Sequence, residues 1–170
     1  MNAEQLRLLQ HPLKDRYRND PAAALVTLRA QGRIGEGVTC SVETGRMLVQ
    51  AGLHPATGGT GLAVCSGDML LQALVACAGV TLNAVATALG IQLRGGQLTA
   101  EGDLDFRGTL GVDKEVPVGF KAIRLRIAVE SDATPQDLAK LLRLTERYCV
   151  VYQTLRNSPG LDVSIGAEAG

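Results

Sequence analysis

A run of residues without any charge, from 69 to 93, constrains the fold more than any other feature of this sequence. About 20 apolar residues are enough to span a bilayer as a helix, so a membrane helix is the first alternative to consider. Polar side chains interrupt the run, however, alanine and glycine make up much of it, and no cluster of lysine or arginine flanks it. We therefore expect no membrane span, and instead a helix buried in the core of a globular domain.

The residues around this run indicate where the helix begins and ends. Ser66 offers a hydroxyl that can cap the first N–H groups, and Asp68 places a negative charge in the first turn, where the helix dipole favours it. Gly90 suits the left-handed conformation that commonly ends a helix. The sequence therefore predicts a helix from Ser66 to Leu89.

Two segments after this helix alternate apolar and polar residues, which is typical of half-buried strands. They cover residues 97–107 and 119–130, and shorter strands are predicted at residues 22–30, 37–43 and 161–165. The inward-facing positions of the two longer segments are Leu98, Ala100, Gly102, Leu104 and Phe106 in the first, and Ile123, Leu125, Ile127 and Val129 in the second.

A second long helix is predicted near the C-terminus. Thr134 supplies a cap hydroxyl, Pro135 occupies the first helical position and Asp137 adds an acid in the first turn, so the helix begins here and ends at about Arg156. Its apolar stripe faces inward and includes the place of Cys149. The other members of the stripe are Leu138, Leu141, Leu142, Thr145, Tyr148, Tyr152 and Leu155.

These elements predict a single α+β domain over residues 22–170, without repeats or linkers. An N-terminal arm, residues 1–21, precedes the domain. Residues 3–10 of this arm are predicted to form a short helix that Pro12 ends.

The charge balance and the first 20 residues indicate which partners and which location to expect. The 17 basic and 17 acidic residues cancel, and no block of like charge or aromatic interleaving is present, so we expect no nucleic-acid partner. Residues 1–20 are polar and do not resemble a signal peptide, which favours a cytoplasmic location.

The four cysteines are the residues best able to carry chemistry. They lie at positions 40, 65, 77 and 149, with no Cys-x-x-Cys spacing and only two histidines in the chain, which is too sparse for an ordinary zinc site. A structural disulfide framework is not expected in a reducing cytosol. The thiols are therefore either buried hydrophobic groups or reactive groups.

Cys77 and Cys149 each lie on a predicted core-facing helix, where a free cysteine often packs as a small hydrophobic residue. A functional reading needs the two residues to come within the ~4.4–6.8 Å Cα separation of a disulfide. One thiolate would then attack a peroxide oxygen, and the other thiol would condense with the resulting sulfenic acid. The residues alone leave both readings open.

Several segments, in order, resemble the OsmC/Ohr family (osmotically induced protein C and organic hydroperoxide resistance proteins). Residues 58–61 and 66–77 are similar to the family's glycine-rich loop and first cysteine helix, and residues 88–93 to the exit from that helix. Residues 116–123 and 146–151 are similar to the second half of the family pattern. The resemblance runs from about residue 22 to the C-terminus, and both cysteines fall at matching places.

The resemblance implies antiparallel sheets around a long buried central helix, with a second amphipathic helix, in an intertwined homodimer whose sites lie at the subunit boundary. It implies a thiol peroxidase that reduces organic hydroperoxides to alcohols, with Cys77 as the attacking thiol and Cys149 as the resolving thiol. No bound cofactor or metal is implied. The reductant would be an external dithiol of the dihydrolipoyl type.

Two positions depart from the family pattern. The family usually has a Pro-Glu pair at the start of the first helix, whose glutamate helps to hold an arginine beside the thiolate. This chain has Gly67 and Asp68 there, so Asp68 is a candidate for the glutamate's role, although its charge is also explained by helix capping. The second cysteine is normally followed by proline, whereas Val150 follows Cys149 here.

Other residues are secondary candidates for the site. A thiol buried in apolar surroundings has a raised pKa, so a cation or a helix N-terminus must counter the burial if it is to react near neutral pH. Cys65 is an alternative resolving thiol, Cys40 is a core residue and His54 is a candidate substrate-facing group. The candidate cations, each equally explained as a solvated charge at a strand edge, are Arg29, Arg33 and Arg46.

Two further functions stay open. A non-enzymatic dimer that senses redox state or binds a small ligand is favoured by the departures at residues 67–68 and at Val150, because a fold does not fix a function. A thiol hydrolase or acyltransferase would use Cys77, but His54 has no identifiable orienting acid with which to form a Cys–His pair.

Overall fold

The computed structural model describes residues 3–34, 40–42, 52–62 and 64–164, and it describes the backbone alone at 3–7, 9–10, 27–34 and 40–42. The predicted α+β class is confirmed. The elements, in chain order, are α1 (Ala3–Asn19), β1 (Leu25–Ile34), β2 (Cys40–Val42), α2 (Ser66–Leu89), β3 (Gly95–Asp105), α3 (Phe106–Thr109), β4 (Phe120–Glu130), α4 (Pro135–Tyr148) and α5 (Val150–Arg156).

The first helix is longer than the sequence predicts. Pro12 lies inside α1 and does not end it, so the prediction of a helix that stops there was wrong. Tyr17 is buried, and its hydroxyl donates a hydrogen bond to the carbonyl of Ala56 at 2.5 Å. This contact lies beyond the proline, and packing at that end keeps the following turns helical although proline removes one backbone hydrogen bond.

Within the described residues, four strands form one antiparallel sheet in the order β2-β1-β3-β4. The predicted alternation in β3 is confirmed, since Leu98, Ala100 and Leu104 are buried. Gly102 has a steric reason to be glycine, because an added Cβ would lie 2.4 Å from the ring of Phe120 on the neighbouring strand. The sheet therefore presents one apolar face to the helices.

The central helix α2 spans Ser66–Leu89, as predicted from its flanking residues. The cap position is Cys65 and not Ser66, one residue earlier than expected, and Gly90 ends the helix in the left-handed conformation with φ 68°. Leu71, Leu74 and neighbouring apolar residues pack into the core beside β1 and β3. By length and composition α2 would be able to cross a membrane, but half of its most apolar stretch is buried within the fold.

The second long helix is interrupted. Instead of running continuously to Arg156, it ends at Tyr148, and α5 begins at Val150. The backbone at Cys149 is extended, with φ −73° and ψ 107°. The predicted last strand is also not formed over residues 161–164, where Leu161 and Val163 are exposed, and residue 165 lies outside the described part of the chain.

Candidate functional site

The structure brings Cys77 and Cys149 together. Cys77 lies near the middle of α2 and is partly buried, while Cys149 lies between α4 and α5 and is 1% exposed. Both α4 and α5 pack against α2, and the two free thiols lie close enough that each one, as a hydrogen-bond partner, shifts the pKa of the other. The two cysteines therefore form a compact site. The apolar patterns of α2 and α4 do not by themselves require these two residues to meet.

The interruption at Cys149 supplies this site with backbone donors. The N–H groups of Val151 and Val150, at the start of α5, donate to the Cys77 sulfur. The N–H of Tyr152 donates to the Cys149 sulfur at 3.5 Å, so this thiol caps α5. The hydroxyl of Thr81, one turn after Cys77 on α2, adds a further hydrogen bond to the Cys77 sulfur.

These contacts make Cys77 the more acidic thiol. Burial raises the pKa of Cys77, but the hydrogen bonds from Val151, Cys149, Thr81 and Val150 stabilise the thiolate. The hydrogen bonds outweigh burial, and the pKa of Cys77 lies below the ordinary value for a thiol. A thiolate is the nucleophilic form of a cysteine, and of these two thiols Cys77 is the one whose surroundings favour that form.

Cys149 is shifted in the opposite direction. The pKa of Cys149 is raised to about 11: burial is the largest cause, the hydrogen bond to Cys77 and that residue's charge add to it, and the Tyr152 N–H opposes it. At pH 7 this leaves on the order of one thiolate in 10⁴ at Cys149. The pair thus consists of one ionisable thiol and one thiol that is held neutral.

We expect alkylation to distinguish the two thiols. In the reduced protein at pH 7, iodoacetamide should label Cys77 at least about tenfold faster than Cys149, because only the thiolate reacts at a useful rate. Peptide-resolved mass spectrometry at several times after mixing measures the two rates separately. Equal rates, or faster labelling of Cys149, would contradict the assignment of the two shifts.

Asp68 and Cys65 lie at the start of α2, whereas Cys77 lies near its middle. Cys65 precedes Cys77 by twelve residues, about 18 Å along the helix, which is beyond direct disulfide range within one chain. Asp68 precedes Cys77 by nine residues, which places it about half a turn round the helix, on the opposite face. The structure therefore does not bring Asp68 beside Cys77 within the chain, and its catalytic role stays a prediction.

His54 lies with these residues near the start of α2. Its ring stacks on Phe106 with centroids 5.0 Å apart, and its Nδ1 accepts a hydrogen bond from the N–H of Ala56. Burial raises the pKa of Asp68, and the nearby His54 opposes that rise. A cavity of about 390 Å³ is lined by His54, Pro55, Gly61, Leu62, Val64, Cys65, Asp68 and Gln72.

The candidate activating cations are residues whose side chains the structure does not describe. Arg46 is outside the described residues, and the side chains of Arg29, Arg33 and Cys40 are also outside them. Within residues 52–62 and 64–164, Arg107 and Arg124 form ion pairs with carboxylates, Arg107 with the buried Asp105 at 2.7 Å. No group of three or more metal-ligating side chains occurs in the part of the chain that the structure describes.

Sequence reasoning missed the donors around Cys77. Val150 and Val151 act through backbone N–H groups, which carry no residue-specific signal, and Thr81 reads as an interruption of an apolar run. The proline expected after the second cysteine would have removed one of these donors, since proline has no N–H. The sequence shows valine at position 150 where the family has proline, but the effect of this difference depends on the packing of α5 against α2.

An α+β domain whose buried central helix places one thiol against a second thiol at a helix interruption defines a protein with a paired-cysteine site. The comparison with protein families gives the particular class. The family model described as OsmC-like protein matches residues 59–164, which is more than half of the chain and includes both cysteines. The chain belongs to the OsmC-like family.

Solved structures agree with this fold. An OsmC-like hydroperoxide resistance protein from Jannaschia sp. CCS1 matches with a TM-score of 0.60 and 15% identity, over 86% of this chain and 97% of that one. An OsmC-like protein from Mycoplasma pneumoniae matches with a TM-score of 0.56 and 16% identity, over 79% and 86% of the two chains. A search of curated proteins found no match.

Proposed function

We propose that this protein is a thiol-dependent peroxidase that reduces organic hydroperoxides to alcohols, with Cys77 as the attacking thiol and Cys149 as the resolving thiol. The observation that carries the proposal is the contact between two free thiols whose pKa values are shifted in opposite directions. Membership of a family that includes hydroperoxide resistance proteins supports it.

The reaction balances with the two thiols and one external dithiol. The Cys77 thiolate attacks an oxygen of the hydroperoxide, the O–O bond breaks, and the departing alkoxide takes a proton to give the alcohol. Cys77 becomes a sulfenic acid. The Cys149 sulfur then attacks the Cys77 sulfur, water leaves and a disulfide forms; an external dithiol reduces this disulfide and becomes oxidised itself.

The electrostatics favour this order of events. While Cys77 is a thiolate, its charge and its hydrogen bond to Cys149 raise the pKa of Cys149. Oxidation of Cys77 to the neutral sulfenic acid removes that charge. The pKa of Cys149 then falls, although burial, the largest cause of its rise, still acts on it, so Cys149 ionises more readily once there is a sulfenic acid to attack.

The surroundings favour an apolar substrate and an external reductant. Cys77 packs against an apolar core cluster that contains Leu74, about one turn earlier on α2, and against which Val151 also packs. Such surroundings give an alkyl or lipid hydroperoxide more binding energy than hydrogen peroxide. The proposed cycle needs no bound cofactor, and the proposed partners are the hydroperoxide and a dithiol reductant of the dihydrolipoyl type in the cytoplasm.

The peroxidase proposal is tested by counting thiols. One equivalent of cumene hydroperoxide, added to the fully reduced protein without reductant, should remove two thiols per chain and yield one cumyl alcohol. Peptide mapping should place the bridge between Cys77 and Cys149. If Cys77 is still reduced after minutes of exposure, the proposal fails, and the non-enzymatic binding function on the same fold becomes the better account.

We also propose that the protein is a homodimer that packs through the outer side of α2. Apolar residues on that side are exposed, among them Met69, Leu70 and Val80, and α2 carries no charge after Asp68. Exposed apolar surface of this extent on a helix is typical of an interaction site. A second copy would cover it and bring the two α2 helices, and with them the two sites, to the subunit boundary.

The dimer prediction is tested by placing a charge on this surface. Leu70→Lys should shift the species from about twice the chain mass of 17.9 kDa to the single-chain mass in sedimentation velocity, because a buried lysine without a partner opposes association. Gln97→Lys, at an exposed position on β3, is the matched control and should leave the dimer intact. Wild-type protein that sediments at the single-chain mass would contradict the proposal.

A further inference from the structure

The interruption between α4 and α5 leaves a defined set of backbone groups without their helical partners. In a continuous helix the N–H of Val150 would bond to the carbonyl of Glu146, and the N–H of Val151 to that of Arg147. The last regular bond of α4 runs from the N–H of Cys149 to Thr145 at 2.9 Å, and the first of α5 from Gln153 to Cys149 at 2.9 Å. Between these two bonds, the N–H groups of Val150, Val151 and Tyr152 are released.

The released donors find sulfur acceptors. Val150 and Val151 donate to Cys77, and Tyr152 donates to Cys149. Because of the interruption, backbone N–H groups at the start of α5 are available to donate to a side chain on α2. If the helix were continuous, the same N–H groups would be used inside it and would not reach Cys77.

One of the released carbonyls is satisfied by a side chain. Gln153 donates from its amide Nε2 to the carbonyl of Glu146 at 2.7 Å, which is the acceptor that Val150 would otherwise use. The other end of this amide is fixed, since Asn157 donates from its Nδ2 to the Gln153 Oε1 at 3.0 Å. Gln153 therefore occupies the acceptor that would close the helix, and its own orientation is set by a second hydrogen bond.

We propose that Gln153 is a positioning residue for Cys77: by occupying the Glu146 carbonyl it keeps the α4–α5 interruption open, so that the N–H groups of Val150 and Val151 donate to the Cys77 sulfur. Gln153 does not touch Cys77 and acts through the backbone. The inference deepens the proposed function, since the thiolate it supports is the attacking group, but it concerns the ionisation of Cys77 and does not require turnover.

The groups around Cys77 allow a clean test. Among the described side chains, the titratable group that contacts Cys77 is Cys149, and Thr81 is its other side-chain partner. Glu146 and Tyr152 lie at the interruption, with the tyrosine hydroxyl 3.5 Å from a glutamate oxygen. Substitution of Gln153 changes none of these titratable groups, so a change in Cys77 ionisation reports on the backbone donors.

The experiment measures the rate of iodoacetamide labelling at Cys77 against pH, read at the Cys77 peptide, in Gln153→Leu and in the control Thr154→Leu. Thr154 is an exposed neighbour on α5. In Gln153→Leu the midpoint of the profile should rise by about one pH unit, as expected for the loss of hydrogen bonds to a charged group. Thr154→Leu should leave the midpoint unchanged.

A second variant keeps the proposal testable if Gln153→Leu does not fold. Val150→Pro deletes one donor and retains the interruption, because proline suits the first position of a helix and the extended backbone at Cys149 suits the residue before a proline. Its midpoint should rise by less than in Gln153→Leu, since the Val151 donor stays. A folded Gln153→Leu with the wild-type midpoint, an equal shift in Thr154→Leu, or a folded Val150→Pro with the wild-type midpoint overturns the proposal.

Peroxidase measurements separate this inference from the proposed function. If both are correct, Gln153→Leu should lose about tenfold in the rate of hydroperoxide reduction at neutral pH and recover at high pH, where Cys77 is ionised in every variant. A shifted labelling profile in a wild-type protein that reduces no hydroperoxide would support the positioning role and refute the peroxidase. A wild-type protein that reduces hydroperoxide, together with an unshifted labelling profile in Gln153→Leu, would support the peroxidase and refute the positioning role.

Discussion

Replacement of Cys77 with serine is expected to abolish hydroperoxide reduction, with a loss of at least about 10³-fold in the rate of cumene hydroperoxide consumption. A serine hydroxyl ionises far above neutral pH, and the donors that stabilise a thiolate at this position do not bring it into range. The measurement is peroxide consumption in the presence of a dithiol. The same preparation should keep the wild-type circular dichroism spectrum, since serine differs from cysteine by one atom.

Cys149→Ser should separate attack from resolution. Serine retains a hydroxyl that can donate to Cys77, so oxidation of Cys77 should proceed at a rate within about tenfold of wild type. Without a resolving thiol, the product should stop at sulfenic acid, which dimedone traps at the Cys77 peptide. The wild-type protein under the same conditions should give the disulfide and little dimedone adduct.

Cys65→Ser is the control for both substitutions. Cys65 lies about 18 Å along α2 from Cys77 and should therefore contribute to neither step. Full activity in Cys77→Ser, or loss of the disulfide in Cys65→Ser, would contradict the assignment of Cys77 and Cys149.

The parts of the fold that the sequence predicts well are those that depend on local chemistry. The bounds of α2 follow from the cap region and from Gly90, whose left-handed conformation a glycine adopts without strain. The inward face of β3 follows from alternation alone, because successive side chains in a strand point to opposite faces. Neither feature needs knowledge of what packs against it.

The interruption at Cys149 could not be predicted in the same way. No proline or glycine marks it, and the residues on both sides continue a helical apolar pattern. The contacts that hold it open are the bonds from α5 to Cys77 and the Gln153 side chain on Glu146. The first of these joins residues more than 70 positions apart, so it exists only once α2 and α5 have packed together.

The candidate site shows the same division. The two cysteines were identified from a family resemblance, and their place on helices from periodicity, but their contact and their opposite pKa shifts arise from tertiary packing. Asp68 was selected because it stands near the place of a family glutamate. Its position half a turn from Cys77 follows from helix geometry, which would have shown it at the sequence level.

The neighbouring leucines of α4 give the largest stability effect that we predict. The apolar pattern places both Leu141 and Leu142 on the inward stripe, but only Leu141 is buried, at 1% exposure, while Leu142 is 47% exposed. Leu141 packs in a cluster with Leu82, Val85 and Ala86 of α2, and this cluster fixes α4 against the helix that carries Cys77. The predictions for Leu142 and for Tyr148, which is 58% exposed, as inward-facing residues were wrong, because the buried face of α4 is narrower than its apolar stripe and contains Leu141 and Thr145.

Leu141→Ala should lower the free energy of unfolding by about 2–5 kcal/mol, because it removes buried methyl groups and leaves a cavity between α4 and α2. Leu142→Ala makes the same chemical change on the same helix and should cost less than about 1 kcal/mol. Urea denaturation at one fixed protein concentration measures both, since a dimer's stability depends on concentration. An equal loss of unfolding free energy in the two variants would mean that α4 does not pack on α2 through the observed face. The position of the Val150 and Val151 N–H groups beside Cys77 would then have to depend on other contacts.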